Sequence, residues 1–189
     1  MQVAENSALL TDYYELAMAQ DYWQMGKSEQ VAVFHLFLRR NPFAGEFTVF
    51  AGLEPVLEYL QNWRFTADDI DYLAGLQFTD GRPRFNPEFL RYLQALRLQI
   101  ELFAPDEGTL MYAGEPLLRV SGPLLQCQIL ETALMNIINI SSLVATKARR
   151  VRLAAPEDTA ISEFGLRRAQ GPNGGCLASR AAYIGGVGS

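Results

Sequence analysis

Histidine occurs once in 189 residues, as His35. A single imidazole on a strand-like stretch, with no second histidine and no carboxylate beside it, reads as structural and cannot assemble a metal centre. Cysteine is nearly as scarce: Cys127 and Cys176 are too few and too far apart for a disulfide framework or a zinc site. Two free thiols fit a reducing compartment. The longest uncharged run, 132–146, is shorter than the ~18–20 residues a membrane span needs and contains Asn136, Asn139, Ser141 and Ser142. Residues 1–10 lack both a basic start and an apolar core of signal-peptide length. These absences predict a soluble cytoplasmic protein. Basic surplus is missing too: the net charge is −5, which argues against a nonspecific nucleic-acid binder.

What is present is ordinary globular material, 49% hydrophobic and 20% charged, enough for one domain or one domain and part of another. Apolar spacing predicts a first helix over 8–25, ended by Gly26. Asp12 sits early in it, where a carboxylate suits the positive helix end. Tyr13 and Tyr14 lie ~100° apart on a helix, so one of them must face something other than the core. A strand over 30–40, apolar on both sides, predicts a central position in a sheet. It ends in Arg39-Arg40-Asn41-Pro42. A second strand, 46–51, precedes a helix over 53–63. Thr66 and Asn86 read as N-caps of two further helices, the second with Pro87 at its first position and running to about residue 98. Trp63, Tyr72 and Tyr92 read as core.

Residues 100–122 form a small β region of three short strands, 100–103, 109–112 and 117–121. Its outline is similar to the half-barrel of lipoyl and biotinyl carriers. No lysine occurs between Lys27 and Lys147, so the carrier role is excluded and a scaffold hairpin remains. From Pro123 a long helix is predicted to about Ala155, with Pro156 as its stop. Lys147, Arg149, Arg150 and Arg152 crowd its end, where cations complement the helix dipole. The whole reads as α/β (α+β). Residues 1–122 make an N-terminal α/β domain, and 123–189 a long helix with the first part of a second domain.

The densest chemistry lies in Glu163-Phe164-Gly165-Leu166-Arg167-Arg168-Ala169-Gln170-Gly171-Pro172-Asn173-Gly174-Gly175. A predicted strand over 160–164 delivers an aromatic, two guanidiniums and a glycine-rich turn, and a helix is expected from Ser179. Arginine offers a planar fork of donors for carboxylate or phosphate, and glycine lets a backbone approach a ligand. The local pattern fits an anion site at a strand end. It also fits a surface turn with solvated arginines.

Six segments in order are similar to the nicotinate phosphoribosyltransferase family. They are Leu10-Thr11-Asp12-Tyr13-Tyr14, Phe37-Leu38-Arg39-Arg40-Asn41-Pro42-Phe43, Ala51-Gly52-Leu53, Val120-Ser121-Gly122-Pro123-Leu124, Leu143-Val144-Ala145-Thr146, and 163–171. The last is the most specific. This resemblance implies a type II phosphoribosyltransferase: a sandwich-like N-terminal α/β domain leading by the long helix into an irregular α/β barrel. It implies a homodimer with shared active sites, acting in NAD salvage. Nicotinate and phosphoribosyl pyrophosphate would give nicotinate mononucleotide and pyrophosphate, coupled to ATP hydrolysis. Magnesium would come with the phosphates of phosphoribosyl pyrophosphate and ATP, with no metal ligand from this segment.

By the same resemblance, the partner subunit's Tyr14 and Phe164 would sandwich the nicotinate ring. Arg167 and Arg39 would hold phosphates, Arg39 across the dimer. Asp12 would orient one of these arginines, and Gly165 would permit close approach. The family's phosphorylated histidine has no match here, since His35 does not align with it and its position lies past Ser189. The chain therefore reads as an N-terminal portion, about half, carrying no catalytic residue and not expected to perform ATP-coupled synthesis alone. A nicotinamide- or quinolinate-using relative, or a non-catalytic dimerisation fragment, are the alternatives.

Overall fold

A computed structural model describes residues 8–188. Contacts divide the chain into two compact units, one of residues 8–34, 57–102 and 120–133, the other of 35–56, 103–119 and 134–188. The elements in order are α1 (Tyr13–Gln24), β1 (Val31–Phe37), β2 (Thr48–Val49), α2 (Leu53–Asn62), α3 (Ala67–Ala74) and α4 (Pro87–Ala95). There follow β3 (Glu101–Phe103), β4 (Leu110–Met111), β5 (Pro116–Pro123), α5 (Leu124–Ile129), α6 (Glu131–Ala154) and α7 (Gly171–Ile184). The strands form a three-stranded sheet ordered β1-β5-β3 and a two-stranded antiparallel sheet of β2 and β4, with Thr48 opposite Met111 and Val49 opposite Leu110. The strands expected as one β region over 100–122 are thus shared between two sheets.

The first unit is built around aromatic packing. Phe85, Phe89, Trp63, Phe65 and Tyr59 are buried, and Phe89 meets the rings of Trp23, Phe85 and Tyr92. Local capping sets the helix starts. Thr66 accepts from the backbone N–H of Asp69, whose carboxylate returns to the Thr66 N–H, a complete capping box. Asn86 caps α4 by accepting from the Glu88 N–H, with Pro87 just inside the helix. Helix α4 stops at Ala95, where Leu96 turns to extended backbone.

In the second unit, α6 completes the edge of β2 with side chains. The Thr146 hydroxyl accepts from the Val49 N–H at 2.8 Å and donates to the carbonyl of Ser142. The Ser142 hydroxyl accepts from the Ala51 N–H and donates to the Ala51 carbonyl. These buried hydroxyls satisfy backbone groups that a further strand would otherwise have to meet. A run of small residues lets α7 come close: Ala145 packs with Ala181, and Ala148 with Ala182 and Val187. At Gly185 a Cβ would lie 2.5 Å from the Ala145 carbonyl oxygen, so only glycine fits there.

Several expectations are corrected. Helix α1 begins at Tyr13, with Asp12 as the extended residue before it, instead of at residue 8. Strand β1 is an edge strand, and Val31, Val33, His35 and Phe37 on one of its faces are exposed. Its apolar character on both sides therefore does not mark a central strand. Tyr72 is 61% exposed and is not core, whereas Trp63 is buried. The long helix predicted from Pro123 is two helices. They are interrupted at Leu130, whose N–H bonds to the carbonyl of Gln128 in place of one four residues back.

Candidate functional site

The segment 160–164 is not a strand. It makes one parallel bridge, Ser162 to Gly188, in which the Glu163 N–H donates to the Gly188 carbonyl at 2.8 Å and the Gly188 N–H to the Ile161 carbonyl at 2.9 Å. Among the described residues that bridge stands alone, so no ladder forms there. Next, the Glu163 carboxylate folds back on its own turn. One oxygen accepts from the Gly165 N–H, and the other from the Ser179 hydroxyl of α7 at 2.9 Å. A Cβ on Gly165 would run into that carboxylate, so the close approach found here is within the chain, between backbone and Glu163.

This turn fixes what faces outward. Phe164 is 80% exposed, an unusual position for a phenylalanine. Leu166–Arg168 form one 3-10 turn, closed by the Arg168 N–H on the Gly165 carbonyl at 2.7 Å. Arg167 and Arg168 are exposed, and neither enters an ion pair among the described residues. The stretch from Gly171 to Gly175, expected as a glycine-rich turn, is the first turn and a half of α7, with Pro172 near its start. Helix α7 therefore starts eight residues before the predicted Ser179. Proline is at home in a first helical turn, and the packing of α7 on the 166–168 turn overrides the low helix propensity of its glycines.

Arg39 is exposed at the end of β1 and forms no ion pair among the described residues. The following turn holds Phe43 and Ala44 at φ of 59° and 49°, a region costly for residues with a Cβ. Arg150 pins that turn by donating to the Phe43 carbonyl at 2.7 Å, while Arg150 and Lys147 lie over the Phe43 ring at 5.7 and 5.3 Å. Arg152 donates to the carbonyls of Thr159, Ala155 and Pro156 beyond the helix end. The basic cluster of α6 is thereby largely accounted for by packing and capping.

Two residues absent from the sequence reading organise the second unit. Glu107 accepts from the Gly52 and Leu53 N–H groups at 2.6 and 3.0 Å, at the start of α2. Both its oxygens also accept from Arg180 of α7, at 2.9 and 2.6 Å, and Arg180 further pairs with Glu54. Burial alone would raise the Glu107 carboxyl. The Arg180 guanidinium and the two backbone donors outweigh it and hold the group below its ordinary range. An open groove of ≈ 540 Å³ runs beside this pair, lined by Glu107, Gly108, Tyr183, Ile184 and 186–188. Nothing local in the sequence marks Glu107, because its partner lies 73 residues away.

Asp12 and Tyr14 belong to the first unit. The Asp12 side chain does not cap α1; it accepts from the Thr132 hydroxyl at 2.9 Å. Tyr13 packs edge-on to Phe85 and under Arg84, while Tyr14 is 50% exposed with no ring partner among the described residues. Tyr14 is thus the tyrosine that faces away from the core. Its phenol is pushed up, by the Glu131 carboxylate first and then by burial, Glu15 and Asp12, so it stays protonated at neutral pH. Of the expected site residues, Phe164, Gly165 and Arg167 share one turn, and Asp12 and Tyr14 share one helix start. No described group of three or more His, Cys, Asp or Glu side chains is arranged to hold a metal, and no described helix is long and apolar enough to cross a membrane.

The class of the fold shows in a distant likeness. Against the crystal structure of nicotinate-nucleotide pyrophosphorylase from Pyrococcus furiosus the TM-score is 0.67 at 23% identity, over 95% of this chain and 36% of that one. That likeness shows an α/β fold shared with that enzyme. The human nicotinic acid phosphoribosyltransferase structure matches with TM-score 0.84 and 43% identity, over 94% of this chain and 35% of that one. In sequence, nicotinate phosphoribosyltransferase of Caenorhabditis elegans is 48% identical over 178 residues, 94% of this chain and 31% of the relative. The Homo sapiens enzyme is 44% identical over 182 residues, 96% and 33%. The chain spans about a third of the length of these curated relatives, less than the half expected. The N-terminal domain model of nicotinate phosphoribosyltransferase matches residues 9–139, and the chain belongs to the nicotinate phosphoribosyltransferase family.

Proposed function

We propose that this chain carries one wall of the substrate site of a nicotinate phosphoribosyltransferase, and that the turn at Phe164, Gly165 and Arg167 is that wall. The observation that carries the reading is the exposure of Phe164 and Arg167 on a turn held rigid from within by Glu163. An exposed ring offers a face for the flat nicotinate. The partner subunit's Tyr14 supplies the opposite face. The nicotinate ring nitrogen donates its electron pair to the anomeric carbon of phosphoribosyl pyrophosphate as the bond to pyrophosphate breaks. Pyrophosphate leaves with the bonding pair. Arg167 and Arg39, which have no carboxylate partner among the described residues, bind the phosphates and offset the charge that develops on the leaving group.

Magnesium enters as part of the phosphoribosyl pyrophosphate and ATP complexes, held by phosphate oxygens. Coupling to ATP requires a phosphorylatable histidine, and exposed His35 on β1 is not placed for that role by the family pattern. The reading includes a homodimer, with Arg39 and Tyr14 serving the neighbouring site, and a cytoplasmic setting suited to two free thiols. Nicotinate is preferred to nicotinamide or quinolinate because the relatives at 44–48% identity carry the nicotinate name.

Tyr14→Ala tests the ring sandwich in the longest natural form of the protein. Loss of one stacking face, about 1 kcal/mol, should raise the KM for nicotinate roughly 5- to 10-fold with the thermal midpoint unchanged. An unchanged KM would return Tyr14 to plain surface.

A further inference from the structure

Glu15 is the most deeply buried carboxylate in the first unit, at 0% exposed, and it forms no ion pair among the described residues. Its partners are hydroxyls. Thr11 Oγ1 donates to one of its oxygens, and Thr132 Oγ1 lies 3.0 Å from the other. The same Thr132 oxygen lies 2.9 Å from an Asp12 carboxylate oxygen and accepts from the Asp12 N–H at 3.3 Å. A threonine hydroxyl has one proton to give. It cannot donate to Asp12 and Glu15 together, so one of these two contacts requires a proton on a carboxyl.

Burial decides which carboxyl carries it. Asp12 is exposed to water, whereas ionising Glu15 would bury an unpaired charge. The groups that face Glu15 reinforce the choice: Thr11 and Asp12 just before α1, Tyr14 from α1, Glu131 and Thr132 from α6, and the buried Tyr59 from α2, none of them a cation. Burial is the largest influence pushing the Glu15 carboxyl up; the two threonine hydroxyls oppose it and Glu131 adds to it.

We propose that Glu15 is a positioning residue, protonated in the fold, which donates to Thr132 so that Thr132 can donate to Asp12 and fix the start of α1 where Tyr14 is presented. The proposal rests on the reading of Tyr14 and Asp12 as substrate-site residues. It gives the site a dependence on pH with a definite sign. The folded-state affinity of Glu15 for its proton is raised, so the stabilisation it provides is complete at and below the ordinary carboxyl range and is lost as pH rises through the folded value. Above that point two carboxylates contend for one hydroxyl proton, and the hold on Asp12 loosens.

The test is a carbon-detected NMR titration of the glutamate carboxyls in the protein, paired with nicotinate KM against pH. One glutamate carboxyl should titrate above the ordinary glutamate range, and its signal should vanish in Glu15→Gln. Glutamine keeps a donor on Thr132 at every pH, so the rise of nicotinate KM with pH seen in the unsubstituted protein should flatten in Glu15→Gln. Thr132→Val should raise nicotinate KM about 5-fold. A Glu15 carboxyl that titrates within the ordinary glutamate range would overturn the network whatever the kinetics. A Glu15→Gln profile parallel to that of the unsubstituted protein would overturn the positioning role. A protonated Glu15 together with an inert Tyr14→Ala would overturn the functional reading of Tyr14 instead.

Discussion

Arg167→Ala should lower kcat/KM for phosphoribosyl pyrophosphate by about 100-fold, close to 3 kcal/mol of transition-state stabilisation. The size follows from what Arg167 lacks. It is exposed on a 3-10 turn and has no carboxylate partner among the described residues, so its donors are uncommitted. The turn itself is held by Glu163, Gly165 and Ser179, none of which depends on the Arg167 side chain. Removing the guanidinium should therefore leave the fold intact, with thermal midpoints within error. Arg167→Lys should recover only part of the loss, because an ammonium cannot make the two parallel bonds of a guanidinium fork. Steady-state kinetics with the pyrophosphate donor varied gives the answer. Activity equal to the unsubstituted protein would make Arg167 a solvated surface residue. Arg168, its equally exposed neighbour, serves as the comparison within the same turn, with a smaller expected effect.

Arg180→Ala should be the most damaging of these substitutions for stability, at about 2 kcal/mol. Taking away one partner of a buried pair typically costs ~3–5 kcal/mol; here the Arg180 side chain is 33% exposed, and solvent screening reduces the figure. Glu107 keeps the Gly52 and Leu53 N–H groups, which limits the damage further. The contact with Glu54 adds little, since that carboxylate is 75% exposed. Acid gives a second readout. Glu107 is held below its ordinary range, so its contribution is complete above the unfolded value and is lost as pH falls through the folded one. In Arg180→Ala the loss of stability on acidification should be shallower. Urea midpoints at neutral and acidic pH measure both effects. Equal midpoints for the two proteins at neutral pH would show that the pair is ornamental.

What could be read from sequence was local. Thr66 and Asn86 declare their helices because cap and first turn lie within four residues of each other. Phe164 and Arg167 stood out because they are neighbours in the chain. Longer-range features were silent. Pairing of β1 with β5 joins segments about eighty residues apart, so β1 looked central when it is an edge. Glycines at 171, 174 and 175 resemble a turn until the packing of α7 on residues 166–168 is known. Residues 160–164 have strand composition but one bridging partner among the described residues. Glu15 sits between Tyr14 and Leu16 as an ordinary helical glutamate, and only the arrival of Thr132 from more than a hundred residues later shows that it is buried. The family resemblance reached further than pattern reading because it carries such distant contacts implicitly.

In the proposed function, the turn at Phe164–Arg167 recognises a flat pyridine monocarboxylate beside phosphoribosyl pyrophosphate. The most direct measurement is mononucleotide formation by the longest natural form of the protein, offered nicotinate, nicotinamide and quinolinate in parallel, with ATP present and absent. Nicotinate should be converted at least about 100-fold more efficiently than either competitor, a discrimination within reach of a site that pairs with one substrate's polar group and leaves its own groups unpaired with the others. ATP should increase the yield with nicotinate. Turnover of quinolinate or nicotinamide at a rate equal to or above that of nicotinate would contradict the account.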